Sequence, residues 1–280
     1  MRWFAIAISA VFLLSPWPTE AHGDNSDLIR MFDVLIGMYP DQGKLFLKRG
    51  QWRGANRDWE AALEDYARAE RLNPTLAGLD LFKGLALMQG HRWDSARAAL
   101  DRFVSKEPDH VLARLSRARI FMELGQPMAA VDDYTHAIER SAEPRPEYYI
   151  DRARALAGQG RTTLALRGLD EGIRKLGSIA TLELMAIDLE LANHHYDQAL
   201  ARLDKLATQG ERPEIWLARR GDILERAARR EEARAAYQAA WTAIESVPPS
   251  RRRVRATVDL ENQLQSALER LGGENTHDHK

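Results

Sequence analysis

Residues Trp59–Pro74 read WEAALEDYARAERLNP, and this stretch sets the pattern for the rest of the chain. Ala62 precedes an aromatic residue, Tyr66, by four positions, and the stretch closes on a proline. The same frame recurs 34 residues later with Ala96 and Leu100, and after a further 34 residues with an alanine and a tyrosine. A fixed period that carries a small residue, a large apolar residue and a closing proline predicts an array of repeated units.

Six repeats fit this frame when Gly43 is taken as position one, with one extra residue entering before the fourth repeat. Position twenty is alanine in every repeat: Ala62, Ala96, Ala130, Ala165, Ala199 and Ala233. Position twenty-four is tyrosine or leucine: Tyr66, Leu100, Tyr134, Leu169, Leu203 and Tyr237. Position eight holds Gly50, Gly84, Ala118, Ala153, Ile187 and Gly221. Because two antiparallel helices approach closely only where side chains are small, we expect positions eight and twenty to mark the helix–helix contact in each repeat.

The pattern resembles the tetratricopeptide repeat (TPR) family over residues 43–247. Repeat one carries the family pattern most clearly, in Gly50 and in Ala62 followed four residues later by Tyr66. Repeats four and five depart from it, with Ile187 in place of a small residue and no closing proline. The resemblance implies an all-α fold, a right-handed TPR-like α-solenoid of helical hairpins with capping helices at both ends. A helical-hairpin array of another class is the alternative.

The predicted organisation has five kinds of segment. Residues 22–42 form an N-terminal capping helix, with the helix over Asp24–Tyr39, an N-cap at Asn25 or Ser26, and its end at Pro40. The repeats occupy residues 43–76, 77–110, 111–144, 146–179, 180–213 and 214–247. Residues 248–272 form a C-terminal capping helix, with an apolar stripe over Arg251–Leu271. Residues 273–280 are expected to be a disordered tail, and the last segment is an N-terminal signal.

Residues 1–21 have the pattern of a secretory signal peptide. Arg2 precedes an apolar run, Trp3–Leu14, that is shorter than the roughly 20 residues needed to span a bilayer. Small residues at Thr19 and Ala21 predict cleavage after Ala21, and an uncleaved anchor is the alternative. We therefore expect a periplasmic or secreted protein that has no stable membrane insertion after cleavage. The chain contains no cysteine, which excludes disulfides, thiolate metal sites and a lipoprotein anchor.

Composition and motifs argue against several classes of function. The formal net charge is -1, so there is no global attraction to nucleic acid. The sequence has no nucleophile elbow, no P-loop and no H-E-x-x-H motif, so we expect a protein that is not an enzyme and uses no cofactor. The histidines, including His22, the pair His194-His195, and His277 and His279 in the tail, do not form a spaced zinc set. A metal-handling module that uses the terminal histidines is a distant alternative.

The resemblance implies that the first helix of each repeat lines a concave groove that binds a protein or peptide partner. The candidate groove residues are Leu81, Leu85, Leu115, Arg119, Ile150, Arg154, Leu184, Asp188 and Asp222. The Lys/Asn/Arg set with which some family members hold C-terminal carboxylates is not found at these positions. We hypothesise that an extended peptide or a partner helix lies along the apolar strip, with its charges placed by the arginines and aspartates. The alternative is that these charges pair with one another across adjacent repeats, Arg154 with Asp188 for instance.

The predicted function is a protein–protein interaction scaffold in a bacterial envelope. The runner-up is an accessory subunit of an envelope enzyme.

Overall fold

The computed structural model describes residues 25–208 and 212–272, and this part of the chain is built from α-helices. The predicted signal peptide and the predicted tail lie outside the described residues, so both stay predictions. The helices are α1 (Ser26–Met38), α2 (Gly43–Ala55), α3 (Trp59–Leu72), α4 (Leu79–Gln89), α5 (Trp93–Lys106), α6 (Val111–Glu123), α7 (Pro127–Arg140), α8 (Pro146–Ala157), α9 (Thr162–Leu176), α10 (Ala180–Ala192), α11 (Tyr196–Ala207), α12 (Pro213–Arg226), α13 (Arg230–Glu245), α14 (Pro249–Arg252) and α15 (Arg255–Gly272).

Consecutive helices pack as antiparallel hairpins, which confirms the predicted fold class. α2 packs on α3, α4 on α5, α6 on α7, α10 on α11 and α12 on α13. The chain divides into two compact blocks, an N-terminal block that ends at Gln159 and a C-terminal block that begins at Gly160. This division falls inside the fourth predicted repeat. The boundaries of the individual repeats themselves stay a prediction.

The two helices of a hairpin meet where a glycine faces a large side chain. A Cβ atom added to Gly50 would lie 2.5 Å from Cε1 of Tyr66, and one added to Gly221 would lie 2.4 Å from Cε1 of Tyr237. In repeat two, a Cβ atom on Gly84 would lie 2.7 Å from Cγ of a leucine. A glycine at position eight therefore leaves the space that the side chain at position twenty-four occupies. The ring of Tyr66 is fully buried there.

The alanines at position twenty lie at the centre of each repeat's packing. All six of them are fully buried, with 0% of their surface exposed: Ala62, Ala96, Ala130, Ala165, Ala199 and Ala233. A larger side chain would push the neighbouring helix away, because protein interiors are close-packed. The sequence pattern that predicted close helix contact at this position is confirmed by this burial.

The turn between the two helices of every repeat passes through a left-handed backbone conformation. The residues with positive φ at position fifteen are Arg57, His91, Gly125, Gly160, His194 and Ala228. Only glycine adopts this conformation without a steric cost, so four of the six turns hold a strained residue. The sequence analysis did not detect this position, because its side chains share no chemical character.

The terminal helices cap their neighbours. α1 begins at Ser26 with Asn25 as its N-cap residue, as predicted, and it packs on α2. α15 packs on α13. The single helix predicted over Arg251–Leu271 is wrong in one respect, because the chain forms the short helix α14, turns, and then starts α15 at Arg255. Pro248 precedes α14, and Pro249 is at its first position, where a missing N–H is tolerated.

Within the described residues, no helix has the length and apolar character needed to cross a bilayer.

Replacement of Gly50 by alanine tests the contact between positions eight and twenty-four. The added methyl group would collide with the buried ring of Tyr66, so we expect the free energy of unfolding to fall by about 1–3 kcal/mol. Gly37→Ala is the matched control in the same block, because a Cβ atom there has nothing within 4 Å. Alanine favours a helix over glycine, so Gly37→Ala should raise stability by up to about 1 kcal/mol. Urea unfolding followed by circular dichroism measures both; equal effects would contradict the packing argument.

Candidate functional site

Buried carboxylates in the N-terminal block are neutralised by arginines of the preceding helix. Asp65 is 2% exposed, and Arg49 donates to it from Nε at 3.0 Å and from Nη2 at 2.6 Å. Arg53 adds a third hydrogen bond at 3.0 Å. Asp133 is held in the same way by Arg117, at 2.7 and 2.8 Å. The Arg49–Asp65 and Arg117–Asp133 pairs each join position seven, on the first helix of a repeat, to position twenty-three, on the second helix. Such charge-assisted hydrogen bonds stabilise the hairpin.

A second set of pairs links three of the hairpins to the helix before each of them. Arginines at position seven bind aspartates that lie sixteen residues earlier: Arg49 with Asp33 at 2.6 Å, Arg117 with Asp101 at 2.8 Å, and Arg220 with Asp204 at 2.5 Å. Asp101 and Asp204 are on second helices of repeats, whereas Asp33 is on α1. The capping helix α1 therefore has the register of a second helix.

Repeat five carries the opposite charge at position twenty-three. Arg202 is at position twenty-three, where the other repeats with such a pair have aspartate, and its Nη1 lies 2.8 Å from Asp170 Oδ1. The same Nη1 is 3.5 Å from Oε2 of the buried Glu183. These networks do not follow from the apolar pattern that predicts the repeats, because they involve only charged positions. The sequence does carry a pattern that indicates these networks. It is an arginine at position seven with one aspartate sixteen residues before it and another sixteen residues after it. Their role is structural, so they are not themselves a candidate binding site.

The predicted groove residues fall into two groups in the structure. Leu81, Leu85 and Leu115 are only 6%, 2% and 6% exposed, so they pack in the core of the N-terminal block. Ile150 and Leu184 are half-buried. A ligand would therefore meet little of the predicted apolar strip, because its side chains already contribute to the packing of the helices.

Arg119 and Arg154 are exposed and line one cleft in the N-terminal block. The cleft has a volume of about 260 Å³. Its other lining residues are Met122, Glu123, Tyr134 and Asp151. Arg154 Nη1 lies 3.3 Å from Oδ1 of Asp151 on the same helix. The sequence analysis named the two arginines, and the structure brings them together; it did not anticipate the carboxylates beside them.

The cleft perturbs the titration of its buried groups. Burial raises the pKa of Asp151, although Arg119 and Arg154 both act to lower it. Burial likewise raises the pKa of Tyr134, which responds to the same three charged side chains. Tyr134 therefore keeps its hydroxyl proton, and it lines the cleft together with both arginines.

A second cleft lies in the C-terminal block, beside Asp222. It has a volume of about 460 Å³, and its lining includes Ala218, Tyr237, Ser266 and Arg270. Tyr237 Oη is 2.8 Å from Asp222 Oδ1 and 2.9 Å from Oε2 of Glu225, so two carboxylates share one hydroxyl proton. Arg270 in turn donates to that glutamate.

The two clefts occupy equivalent places in their hairpins. Tyr134 and Tyr237 are both at position twenty-four, and Arg119 and Asp222 are both at position nine. At position nine, therefore, the first cleft presents an arginine and the second presents a carboxylate.

Asp188 is exposed and is paired across adjacent repeats. Its Oδ1 accepts a hydrogen bond from Nη2 of Arg219 at 2.7 Å. The partner is an arginine outside the predicted groove set and not Arg154, so the predicted pairing of the groove charges with one another stays a prediction.

A third, apolar groove lies between α13 and α15. Its volume is about 620 Å³, and it is lined by Trp241, Leu268, Gln238, Thr242, Gln265 and Glu269. The sequence analysis did not predict it.

Histidines of the described chain are engaged in local contacts. His195 Nδ1 is 2.8 Å from Oε2 of Glu190, and His194 Nδ1 is 2.9 Å from the hydroxyl of Tyr196. Over residues 25–208 and 212–272, no group of three or more potential ligands is placed to hold a metal ion. His22, His277 and His279 lie outside this part of the chain.

Two family models match the chain. One, described as a tetratricopeptide repeat-like domain, matches residues 170–262. The other, described as a tetratricopeptide repeat, matches residues 83–133 and 115–177. A search of curated protein sequences returned no significant match.

Several solved structures share the fold. The C-terminal part of a TPR repeat-containing protein from Cytophaga hutchinsonii has a TM-score of 0.66 at 13% identity, covering 84% of this chain and 93% of that chain. A tetratricopeptide repeat protein from Parabacteroides merdae has a TM-score of 0.54 at 15% identity, covering 86% and 93%. MamA has a TM-score of 0.51 at 19% identity, covering 54% and 88%. At such identities the likeness concerns the fold alone.

Removal of two equivalent hydroxyl groups should have opposite effects on stability. Tyr66 Oη is buried with no hydrogen-bond partner in the described part of the chain, so Tyr66→Phe should raise the free energy of unfolding by about 1 kcal/mol. Tyr237 Oη binds carboxylates, so Tyr237→Phe should lower it by about 1 kcal/mol. Thermal unfolding of the two variants beside the parent protein measures both effects. A loss of stability in Tyr66→Phe would contradict the assignment of its hydroxyl as unpaired.

Proposed function

Because the chain belongs to the tetratricopeptide repeat family, we propose that it is an exported interaction scaffold whose exposed clefts hold a peptide or a helix of a partner protein. The family generally serves protein–protein interaction and is typically non-catalytic. Export is supported by the signal-like sequence of residues 1–21, and it places the scaffold in the periplasm or outside the cell.

The observation that carries this proposal is the cleft that Arg119 and Arg154 share. Arg119 is exposed, and among the described residues it makes no ion pair within 4.0 Å. Most arginines of the hairpin networks are used to neutralise aspartates of neighbouring helices, as Arg49 and Arg117 are. An exposed arginine beside a cleft is free to contact a partner, and arginine is enriched among the residues that dominate binding energy at interfaces.

The cleft of the C-terminal block supports the same function with the opposite charge. Asp222 is exposed, and its hydrogen bond is to a tyrosine rather than to an arginine or a lysine. A partner that presents a basic group to this cleft would meet Asp222. Such complementarity mainly sets specificity and the rate of association.

Charge reversal of the cleft arginines tests partner binding. Arg119→Glu combined with Arg154→Glu should abolish capture of partner proteins from a periplasmic extract, because the favourable charges become repulsive. Both side chains are exposed, so the helical circular dichroism spectrum should not change. The matched control is Arg71→Glu with Arg174→Glu, two exposed arginines with the same change in net charge. Identical capture by both double variants would contradict a role for the cleft.

Processing of the N-terminus tests export. We expect the protein isolated from the envelope of its host to begin at His22, since the signal-like segment predicts cleavage after Ala21. Intact-mass measurement with N-terminal sequencing gives the answer directly. A protein that still begins at Met1 would show that the segment is not removed.

A further inference from the structure

The arginine cleft of the N-terminal block contains a carboxylate that belongs to the protein itself. Asp151 lines the cleft together with Arg119 and Arg154. The Asp151 side chain is 24% exposed, so the carboxylate is partly withdrawn from water but still reachable from the cleft.

Asp151 is poorly neutralised in comparison with the other buried carboxylates of this block. Asp133 accepts hydrogen bonds from two arginines at distances of 2.7 to 2.8 Å. Asp151 has one longer contact, at 3.3 Å, with Arg154, whose side chain is 63% exposed. Exposed ion pairs contribute little to stability, so exchange of this carboxylate for another one costs the fold little.

Tyr134 adds a hydrogen-bond donor to the same cleft. It is 2% exposed as a whole residue and lines the cleft. The equivalent tyrosine of the C-terminal block, Tyr237, is already bonded to two carboxylates. An anion bound in the cleft would accept a hydrogen bond from this hydroxyl, in addition to its attraction to the two arginines.

We propose that Asp151 is a resident anion of this cleft, paired with Arg154, and that a carboxylate of the partner displaces it on binding and lies between Arg154 and Arg119. Tyr134 then donates a hydrogen bond from its hydroxyl group to the incoming carboxylate. This inference rests on the proposed function and names the chemistry that its first cleft recognises. Because Asp151 competes with the ligand for the arginines, it lowers the affinity of the cleft for an acidic partner.

The test uses the full-length processed protein and short fluorescent peptides. One probe has glutamate side chains with both termini blocked, a second has a free C-terminal carboxylate and no acidic side chain, and a third has lysine in place of glutamate. Asp151→Asn removes the competing charge at constant shape, and Asp151→Ser guards against an effect of the amide itself. Asp132→Asn is the matched control, because Asp132 is an exposed aspartate of the same block that does not line the cleft.

We expect Asp151→Asn and Asp151→Ser to bind an acidic probe about fivefold more tightly than the parent protein, from the loss of one like charge close to the ligand. Asp132→Asn should bind as the parent does, the lysine probe should gain nothing, and added Arg119→Ala and Arg154→Ala should remove the gain. A gain for the blocked glutamate probe identifies a side-chain carboxylate as the ligand, and a gain for the second probe identifies a C-terminal one.

The proposal is overturned if the Asp151 variants bind no more tightly than the parent, if Asp132→Asn gives the same gain, or if none of these proteins binds either acidic probe. Circular dichroism melting curves of all variants establish that they are folded. Partner capture by the parent protein is a separate measurement. If capture depends on Arg119 and Arg154 while the Asp151 variants behave as the parent, the scaffold function stands and the role of Asp151 does not.

Discussion

The contact between position eight of the first helix and position twenty-four of the second is the constraint on which the hairpins depend. Where position eight is glycine, the missing side chain is the space that a tyrosine ring or a leucine fills, as between Gly50 and Tyr66. The alanine at position twenty lies fully buried beside it in every repeat. With two helices this close, each hairpin has too little interior to bury all its apolar surface, so neighbouring hairpins must stack.

Polar interactions add a second level of order to this apolar contact. A partly buried arginine such as Arg117 binds one aspartate within its own hairpin and another on the helix before it. The planar guanidinium of arginine has enough hydrogen-bond donors, in a fixed arrangement, to bind two carboxylates at once, whereas the compact ammonium group of lysine is less suited to this. Arginines used in this way hold the repeats in register, whereas those at position nine face a cleft. The same residue type therefore has two roles, and the position in the frame separates them.

The fold could be predicted from the sequence because the same pattern of small and large apolar residues recurs in six repeats. Any one alanine would mean little, but alanine at Ala62 and at five equivalent positions requires a common packing environment.

The candidate site was predicted only in part. Arg119 and Arg154 were identified by their place in the frame, while Leu81 and Leu85 were assigned to the groove although they belong to the core. A position in a frame specifies which way a side chain points, but not whether a neighbouring helix already covers it. Asp151 and Tyr134 were missed as cleft residues because they come from different positions of adjacent repeats.

The register of α1 has a consequence for the architecture at the N-terminal end of the array. Asp33 binds Arg49 as the second helix of a preceding repeat would, yet Met31, Val34 and Met38 on the same helix remain exposed at 46%, 62% and 58%. Among the residues that the structure describes, α1 therefore corresponds to the second helix of a hairpin. An engineer who wished to lengthen this protein would need to supply one helix rather than a whole repeat, with a glycine or an alanine placed to receive the ring of Phe32.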